Sequence, residues 1–258
     1  MAELVFVGLG LDDERGLSSR AWEALRASDE VFAEEYTASA PDGTLDRISA
    51  SLHRRVQRLD RAALESETPI LEALGRSPRV ALLVVGDPFA ATTHVALRLA
   101  AEGAGHTWSY LPNASVLSAA AGWLGLMPYR FGRPVSLPFP APGFAPMSPL
   151  EQIAANRERG LHTLLLLDLR PEEGRYLDAG AALGLLRERD PDGRYLPRGT
   201  RVAVAARVGR SDAAGATGTI EELAGTDFGA PMHAIVVLAP ELHFEETAAL
   251  ARLARPRP

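Results

Sequence analysis

The 258-residue chain contains no cysteine and no lysine: all 27 basic side chains are arginine. Without thiols there is no disulfide, no thiolate nucleophile and no cysteine-ligated zinc or iron–sulfur cluster. Without lysine, a Schiff-base enzyme, a Ser-Lys hydrolase and a P-loop each lack a necessary part. Positive charge is also short. Against 33 acidic residues the net is −6, which argues against a chain that coats nucleic acid or an anionic membrane by bulk charge. No apolar run approaches the roughly 20 residues of a membrane span, and the start MAELVFVGLGLDDE reads as a strand and loop, so a soluble cytoplasmic protein is expected. What is present is globular in character, with 47% hydrophobic and 23% charged residues. The length suits one large domain or two modest ones.

Short apolar runs alternate with amphipathic stretches. Leu4-Val5-Phe6-Val7, ending in Gly8-Leu9-Gly10, reads as a buried parallel strand. Ser18 and Ser19 offer an N-cap for a helix over 21–27. A strand at 31–33, helices over 44–53 and 61–74, a strand at 80–85, a helix over 93–102 and a strand at 107–111 continue the series, which predicts a parallel sheet covered on both faces. Seven prolines between Pro128 and Pro149 leave room only for a short strand at 134–137. That stretch reads equally as an interdomain linker or as a long loop inside a second domain. Helices at 115–124, 149–159, 180–189 and 241–253 are expected in the second half, with strands at 163–169, 201–206 and 234–238 and extra pairing near 217–220. The reading is α/β: two tandem α/β lobes, 1–111 and 112–258, with a parallel sheet in the first and a mixed sheet in the second.

Candidate chemistry clusters at strand ends. Gly8-Leu9-Gly10-Leu11-Asp12-Asp13 opens like a dinucleotide fingerprint, but Asp13 stands at the third glycine position, and two carboxylates would repel a pyrophosphate. Gly86-Asp87-Pro88 ends a central strand, where open α/β sheets place ligands; Asp87 suits a ribose, an amino group or a cation, and equally the cap of the next helix. His94, in Ala91-Thr92-Thr93-His94 at the next helix start, reads as a cap or surface residue before it reads as a base. His162 opens a strand, Asp168 lies near its end, and His233 follows the turn Phe228-Gly229-Ala230-Pro231-Met232. The six histidines include no pair at i, i+4, H-E-x-x-H and G-x-S-x-G are missing, and no metal site is expected. The carboxylate pairs Asp12-Asp13 and Glu34-Glu35 read as solvated.

Taken in order, FVGLGLDDERGLS, VFAEEYT, GDPFAATTH, NASVLSA, GLHTLLLLDL, AARVGR and DFGAPMH resemble the successive blocks of the diphthine synthase family, a branch of the tetrapyrrole-methylase-like methyltransferases. The resemblance runs from Phe6 to about the last helix. GDPFAATTH with GLHTLLLLDL carries most of its specificity, whereas GLGL is shared with corrin and sirohaem methylases. It implies a two-lobed homodimer that binds S-adenosylmethionine in the cleft between lobes and releases S-adenosylhomocysteine. The implied substrate is the amino group of a 3-amino-3-carboxypropyl chain on a histidine of translation elongation factor two, methylated successively to diphthine. Matched motif by motif, the implied cofactor contacts are Leu11, Asp87, Ala90, Ser115, Val116, Leu167, Val208 and His233. The family's ARAGS block reads ARVGR here, so Arg210 replaces a serine at the pocket edge.

The donor carries no phosphate, so Asp12 and Asp13 are no obstacle to it, and its sulfonium, ammonium and ribose hydroxyls suit carboxylates. The implied mechanism is in-line displacement, with nitrogen and methyl aligned and water excluded. The proton acceptor is not fixed by the sequence: His94, Asp168 and bulk water are the candidates. Rival readings are a methylase of the same fold acting on a tetrapyrrole or on ribosomal RNA, the latter disfavoured by the net negative charge, and a non-catalytic ligand-binding or scaffold protein.

Overall fold

The computed structural model describes residues 1–34 and 36–253 and divides into two compact units. The first comprises Met1–Ser115 with Pro171–Glu173; the second comprises Val116–Arg170 with Gly174 onward.

In the first unit the chain runs β1 (Glu3–Gly10), α1 (Ser19–Ala27), β2 (Glu30–Glu34), α2 (Thr44–Leu52), β3 (Val56–Leu59), α3 (Arg61–Glu65), α4 (Thr68–Arg76), β4 (Arg79–Val85), α5 (Val95–Gly103) and β5 (Thr107–Leu111). The strands form one sheet of order β3-β2-β4-β1-β5, with every pairing among them parallel. Burial on both faces explains their continuous apolar runs. Val5, Val7, Val31, Ala81 and Leu83 pack under α1 and α2; Leu4, Phe6, Phe32, Val80 and Leu82 pack under α4 and α5.

The expected helix over 61–74 is two helices. Glu67 adopts φ 59, a left-handed conformation that breaks the run, and Pro69 restarts it in a first turn, where a missing N–H leaves no bond unmade. Strand β3 lies where the sequence pattern predicts none, because its four residues VQRL carry little apolar signal.

The second unit contains α6 (Val116–Leu124), β6 (Val135–Leu137), α7 (Ser148–Glu158), β7 (Thr163–Leu167), the hairpin β8 (Leu169–Arg170) with β9 (Arg175–Tyr176), α8 (Ala179–Arg189), β10 (Arg201–Ala206), β11 (Ala214–Thr219), α9 (Ile220–Leu223), β12 (His233–Val237) and α10 (Phe244–Leu250). Its sheet, in the order β11-β10-β12-β7-β6, is mixed: β6 and β7 are parallel and the other pairings antiparallel. Alternate residues of the strands face α7 and α8 on one side and α6 and α10 on the other. The last helix starts at Phe244 rather than 241, because His243 caps it in a reciprocal pair with Glu246, and it ends at Leu250 rather than 253. Residues 254–258 lie outside the described residues.

The second unit also buries a charged knot. Glu246 on α10 accepts from Arg130 Nη1 at 2.5 Å, from His162 Nε2 at 3.1 Å, and from the N–H groups of Met127 and His243. His162 Nδ1 accepts the Ala239 N–H at 3.0 Å, so the ring is the Nε2–H tautomer and donates to Glu246. Burial pushes the Glu246 carboxyl up, but hydrogen bonds from Met127, His243 and His162 hold it below its ordinary value of 4.5. Burial is the first cause that lowers His162 below 6.5, with Arg130 adding to it and Glu246 opposing. His233 is lowered too, chiefly by burial, and its ring is likewise committed: Nδ1 accepts the Ala179 N–H and Nε2 donates to the Ala230 carbonyl.

These directions fix the sign of the acid limb. The unfolded chain binds protons at both histidines below pH 6.5 while the folded chain resists, so stability falls as pH drops through that value. It falls again below 4.5 as Glu246 is protonated. Urea midpoints measured from about pH 8 down to about pH 4 should trace both steps. Glu246→Ala leaves a guanidinium and three N–H donors without their acceptor and should cost about 3–5 kcal/mol by the same titration.

Candidate functional site

In the first unit the carboxyl ends of β4, β1 and β5 lie side by side, the position where open α/β sheets hold ligands. Leu11 follows β1, Asp87 and Ala90 follow β4, and Ser115 follows β5, so the fold brings these four expected contacts to one rim. Gly10 and Gly86 exchange backbone hydrogen bonds at 3.1 and 2.8 Å, which ties the ends of β1 and β4. Gly10 has φ 85, and a Cβ on Gly8 would fall 2.7 Å from Asn113 Cβ and 2.9 Å from the Gly86 carbonyl oxygen. Both glycines are therefore required by conformation and by close approach, not by a phosphate.

Asp87 is half-buried at the centre of this rim. Its Oδ1 accepts the Phe89 N–H at 3.0 Å, and its Oδ2 accepts the Tyr110 hydroxyl at 2.5 Å and the Asn113 N–H at 3.2 Å. It does not cap α5; it closes its own loop and joins it to β5. Burial, with Asp87 as second cause, pushes the Tyr110 hydroxyl up to about 12, so this donor keeps its proton through the neutral range. A carboxylate offers about four acceptor positions, and three are filled by the protein. One remains for a ligand hydroxyl or ammonium.

Asn113, the first residue of the NASVLSA block, staples the rim. Its Nδ2 donates to the carbonyls of Gly8 at 2.9 Å and Gly16 at 3.0 Å. One member of each carboxylate pair expected to be solvated is buried instead. Asp13 is buried, accepts from the Arg15 N–H and pairs with its guanidinium, which together hold its carboxyl below the usual range. Glu34 is 1% exposed and closes the turn after β2 by accepting from the N–H groups of Tyr36 and Thr37; Glu35 lies outside the described residues. His94 is neither a surface residue nor a capping side chain. It precedes α5, makes no cap hydrogen bond and is 2% exposed. The helix itself begins at Val95, two residues beyond the expected start.

In the second unit the other expected contacts share one sheet end. Leu167 closes β7, Val208 lies just past β10, and His233 opens β12, opposite Ala206 in register. Val116 opens α6 and packs with Val208 on the same apolar cluster. With both ring nitrogens of His233 committed to backbone, its ring braces the turn before β12. Arg207 does the same from the other side, donating Nη1 to the carbonyls of Phe228 and Ala230 and pairing with Asp212 at 2.8 Å. Asp168 accepts from the N–H groups of Phe139 and Leu169, which makes it a turn-forming residue. Two non-glycine residues with positive φ flank the expected contacts: Ala91 (φ 60) beside Ala90 and Arg207 (φ 52) beside Val208. Strain of this kind is held where surrounding structure over-determines it, commonly around ligand sites.

The rim fits a donor without phosphate. Gly10 and Gly86 have already used their N–H groups on each other, so neither glycine amide is left to hold a pyrophosphate. Among the described residues no group of three or more His, Asp or Glu side chains is arranged to hold a metal ion, and no helix is long and apolar enough to cross a membrane.

The family model of the Tetrapyrrole (Corrin/Porphyrin) Methylases matches residues 3–224, which defines the class of the protein as a methylase of that fold. Curated relatives narrow it. The chain is 36% identical to the diphthine synthase of Halorubrum lacusprofundi, over 97% of this chain and 96% of that one, and 38% identical to the diphthine synthase of Methanothermobacter thermautotrophicus, over 97% and 95%. A crystal structure of diphthine synthase superposes with a TM-score of 0.88 at 35% identity, covering 98% of this chain and 96% of its own. Within the tetrapyrrole methylases, the chain belongs to the diphthine synthase family.

Asn113→Ala removes both staples from the rim at once. It should lower stability by about 1–3 kcal/mol, read from urea unfolding, and speed hydrogen exchange at Gly10 and Gly86. An unchanged midpoint with unchanged exchange would remove Asn113 from the account.

Proposed function

We propose that the chain methylates the amino group of a 3-amino-3-carboxypropyl chain on a histidine of translation elongation factor two, with S-adenosylmethionine as donor, to give diphthine. The observation that carries this reading is the likeness to curated diphthine synthases over nearly the whole length of both partners. In this reading it acts as a homodimer in the cytoplasm, where the factor works.

When bound, S-adenosylmethionine supplies a methyl group on a sulfonium, already activated for transfer. The protein must therefore bind, align and exclude water more than it must activate. Asp87 is assigned to bind: its fourth acceptor position takes a ribose hydroxyl or the α-ammonium. Leu11, Ala90, Val116, Leu167 and Val208 are assigned to apolar contact, and Ser115 and the His233 segment to polar contact through side chain or main chain. Successive methylation needs room for a growing ammonium group and an acceptor for the protons released.

Incubation of the chain with tritiated S-adenosylmethionine and the precursor form of the factor should place label on the factor. Cofactor binding with no label on the factor would reject the substrate assignment. Asp87→Asn should weaken cofactor binding by about 1.5–3 kcal/mol in calorimetry. Unchanged affinity would take Asp87 out of the cofactor site.

A further inference from the structure

The segment after β2 and the loop after β4 meet in a buried pair of groups, Glu34 and His94. Glu34 ends β2, which lies beside β4 in the sheet, with Glu34 opposite Val84. His94 closes the loop that begins with Asp87. The ring of His94 lies between them. Its Nδ1 is 2.7 Å from the Pro88 carbonyl oxygen, which only accepts, so Nδ1 carries the proton. In the neutral form of the ring, that leaves the lone pair on Nε2. That atom is closed to solvent and has no hydrogen-bond partner among the described residues. It faces Glu34 Oε1 at 3.9 Å, and the two side chains are 1% and 0% exposed.

Glu34 is otherwise well supplied with donors. Its Oε2 accepts the N–H groups of Tyr36 at 3.0 Å and Thr37 at 3.1 Å, and its Oε1 accepts the Thr37 hydroxyl in a short hydrogen bond. These contacts keep the carboxylate in place. They give the ring nothing, so two acceptors face each other across a gap where one proton would satisfy both. The Thr37 hydroxyl that bonds Glu34 is half-buried and follows the carboxyl end of β2, the strand beside β4 in the sheet. Among the described residues, other titratable or charged groups near the pair include Tyr36, whose hydroxyl is 3.4 Å from Thr93 Oγ1, Arg61, whose guanidinium lies 5.9 Å from the Tyr36 ring centre, and Asp87, next to Pro88.

We propose that Thr37, Glu34 and His94 form a proton-accepting relay for methyl transfer, an inference that rests on the activity proposed above. The acceptor nitrogen gains its methyl as the bond from methyl to sulfur breaks, and the new ammonium must lose a proton before it can react again. Its N–H bond breaks as an O–H bond forms on Thr37. The hydroxyl proton of Thr37 passes to Glu34 Oε1 and comes to rest on His94 Nε2, where it joins imidazolium to carboxylate. When S-adenosylhomocysteine leaves after each transfer, the proton returns to solvent by the reverse path, from His94 through Glu34 to the Thr37 hydroxyl, which resets the relay for the next methylation. Thr37 is the group that meets the substrate; Glu34 and His94 act through it as positioning and proton-storing residues.

Thr37→Val keeps shape and leaves both backbone hydrogen bonds to Glu34 intact while removing the hydroxyl. Its kcat for methylation of the factor should fall roughly 100-fold near neutral pH, with the KM for S-adenosylmethionine within about twofold of wild type. The deficit should shrink as pH rises and solution takes over as acceptor, and Thr37→Ser should restore most of the rate. A separate readout needs no turnover. Nitrogen-15 spectra of histidine-labelled chain, with the His94 signal identified from His94→Asn, should show Nδ1 protonated and Nε2 bare. A wild-type rate in Thr37→Val, a deficit equal at every pH or carried by KM, or a protonated Nε2 in the free chain would each overturn the relay. Labelled factor together with any of these overturns the relay alone, whereas a wild-type chain that leaves the factor unlabelled overturns the proposed activity and the relay with it.

Discussion

One carboxylate organises the first unit's rim. Asp87 receives donors from its own loop, from Tyr110 on β5 and from the backbone of Asn113, and Asn113 in turn holds the end of β1 through Gly8. Three neighbouring strands thus end at a common geometry set by hydrogen bonds to the Asp87 carboxylate and from the Asn113 side chain. The same arrangement explains why glycine stands at positions 8 and 10. The close approach of Asn113 leaves no space for a side chain at Gly8, and the turn at Gly10 needs a positive φ. A glycine pattern that looks like a nucleotide fingerprint arises here from packing.

The second unit is built on the same rule with different parts. Glu246 gathers Arg130, His162 and two backbone N–H groups, and His233 and Arg207 brace the turn before β12. Buried polar groups of this kind are costly unless every member is satisfied, and these are. The contrast with His94 is therefore informative. In a chain that pairs its other buried histidines at both ring nitrogens, one buried nitrogen facing a carboxylate without a proton donor stands apart.

Much of the architecture was legible because it rests on local signals. Apolar runs such as Val80–Val85 mark strands buried on both faces, and their alternation with amphipathic stretches implies parallel pairing. Elements with weak local signals were missed or blurred: β3 with its VQRL, the break at Glu67, and β11, whose AGATGT is held by pairing with β10. The rim at Asp87 was legible from its place after a central strand. Its partners were not, since Tyr110 lies 23 residues away and the Asn113 bond to Gly8 spans 105. The burial of Glu34 and His94 was hidden for the same reason: a charged or imidazole side chain is read as solvated until the fold supplies its surroundings.

Asp87, at the end of the parallel sheet, is the anchor proposed for the sulfonium-bearing donor. The most direct test is a crystal structure of the chain with S-adenosylhomocysteine. Density for its ribose or amino group within hydrogen-bond distance of the Asp87 carboxylate is the predicted result. The same ligand bound away from Asp87, or a phosphate-bearing nucleotide seated at Gly8–Gly10 in its stead, would contradict it.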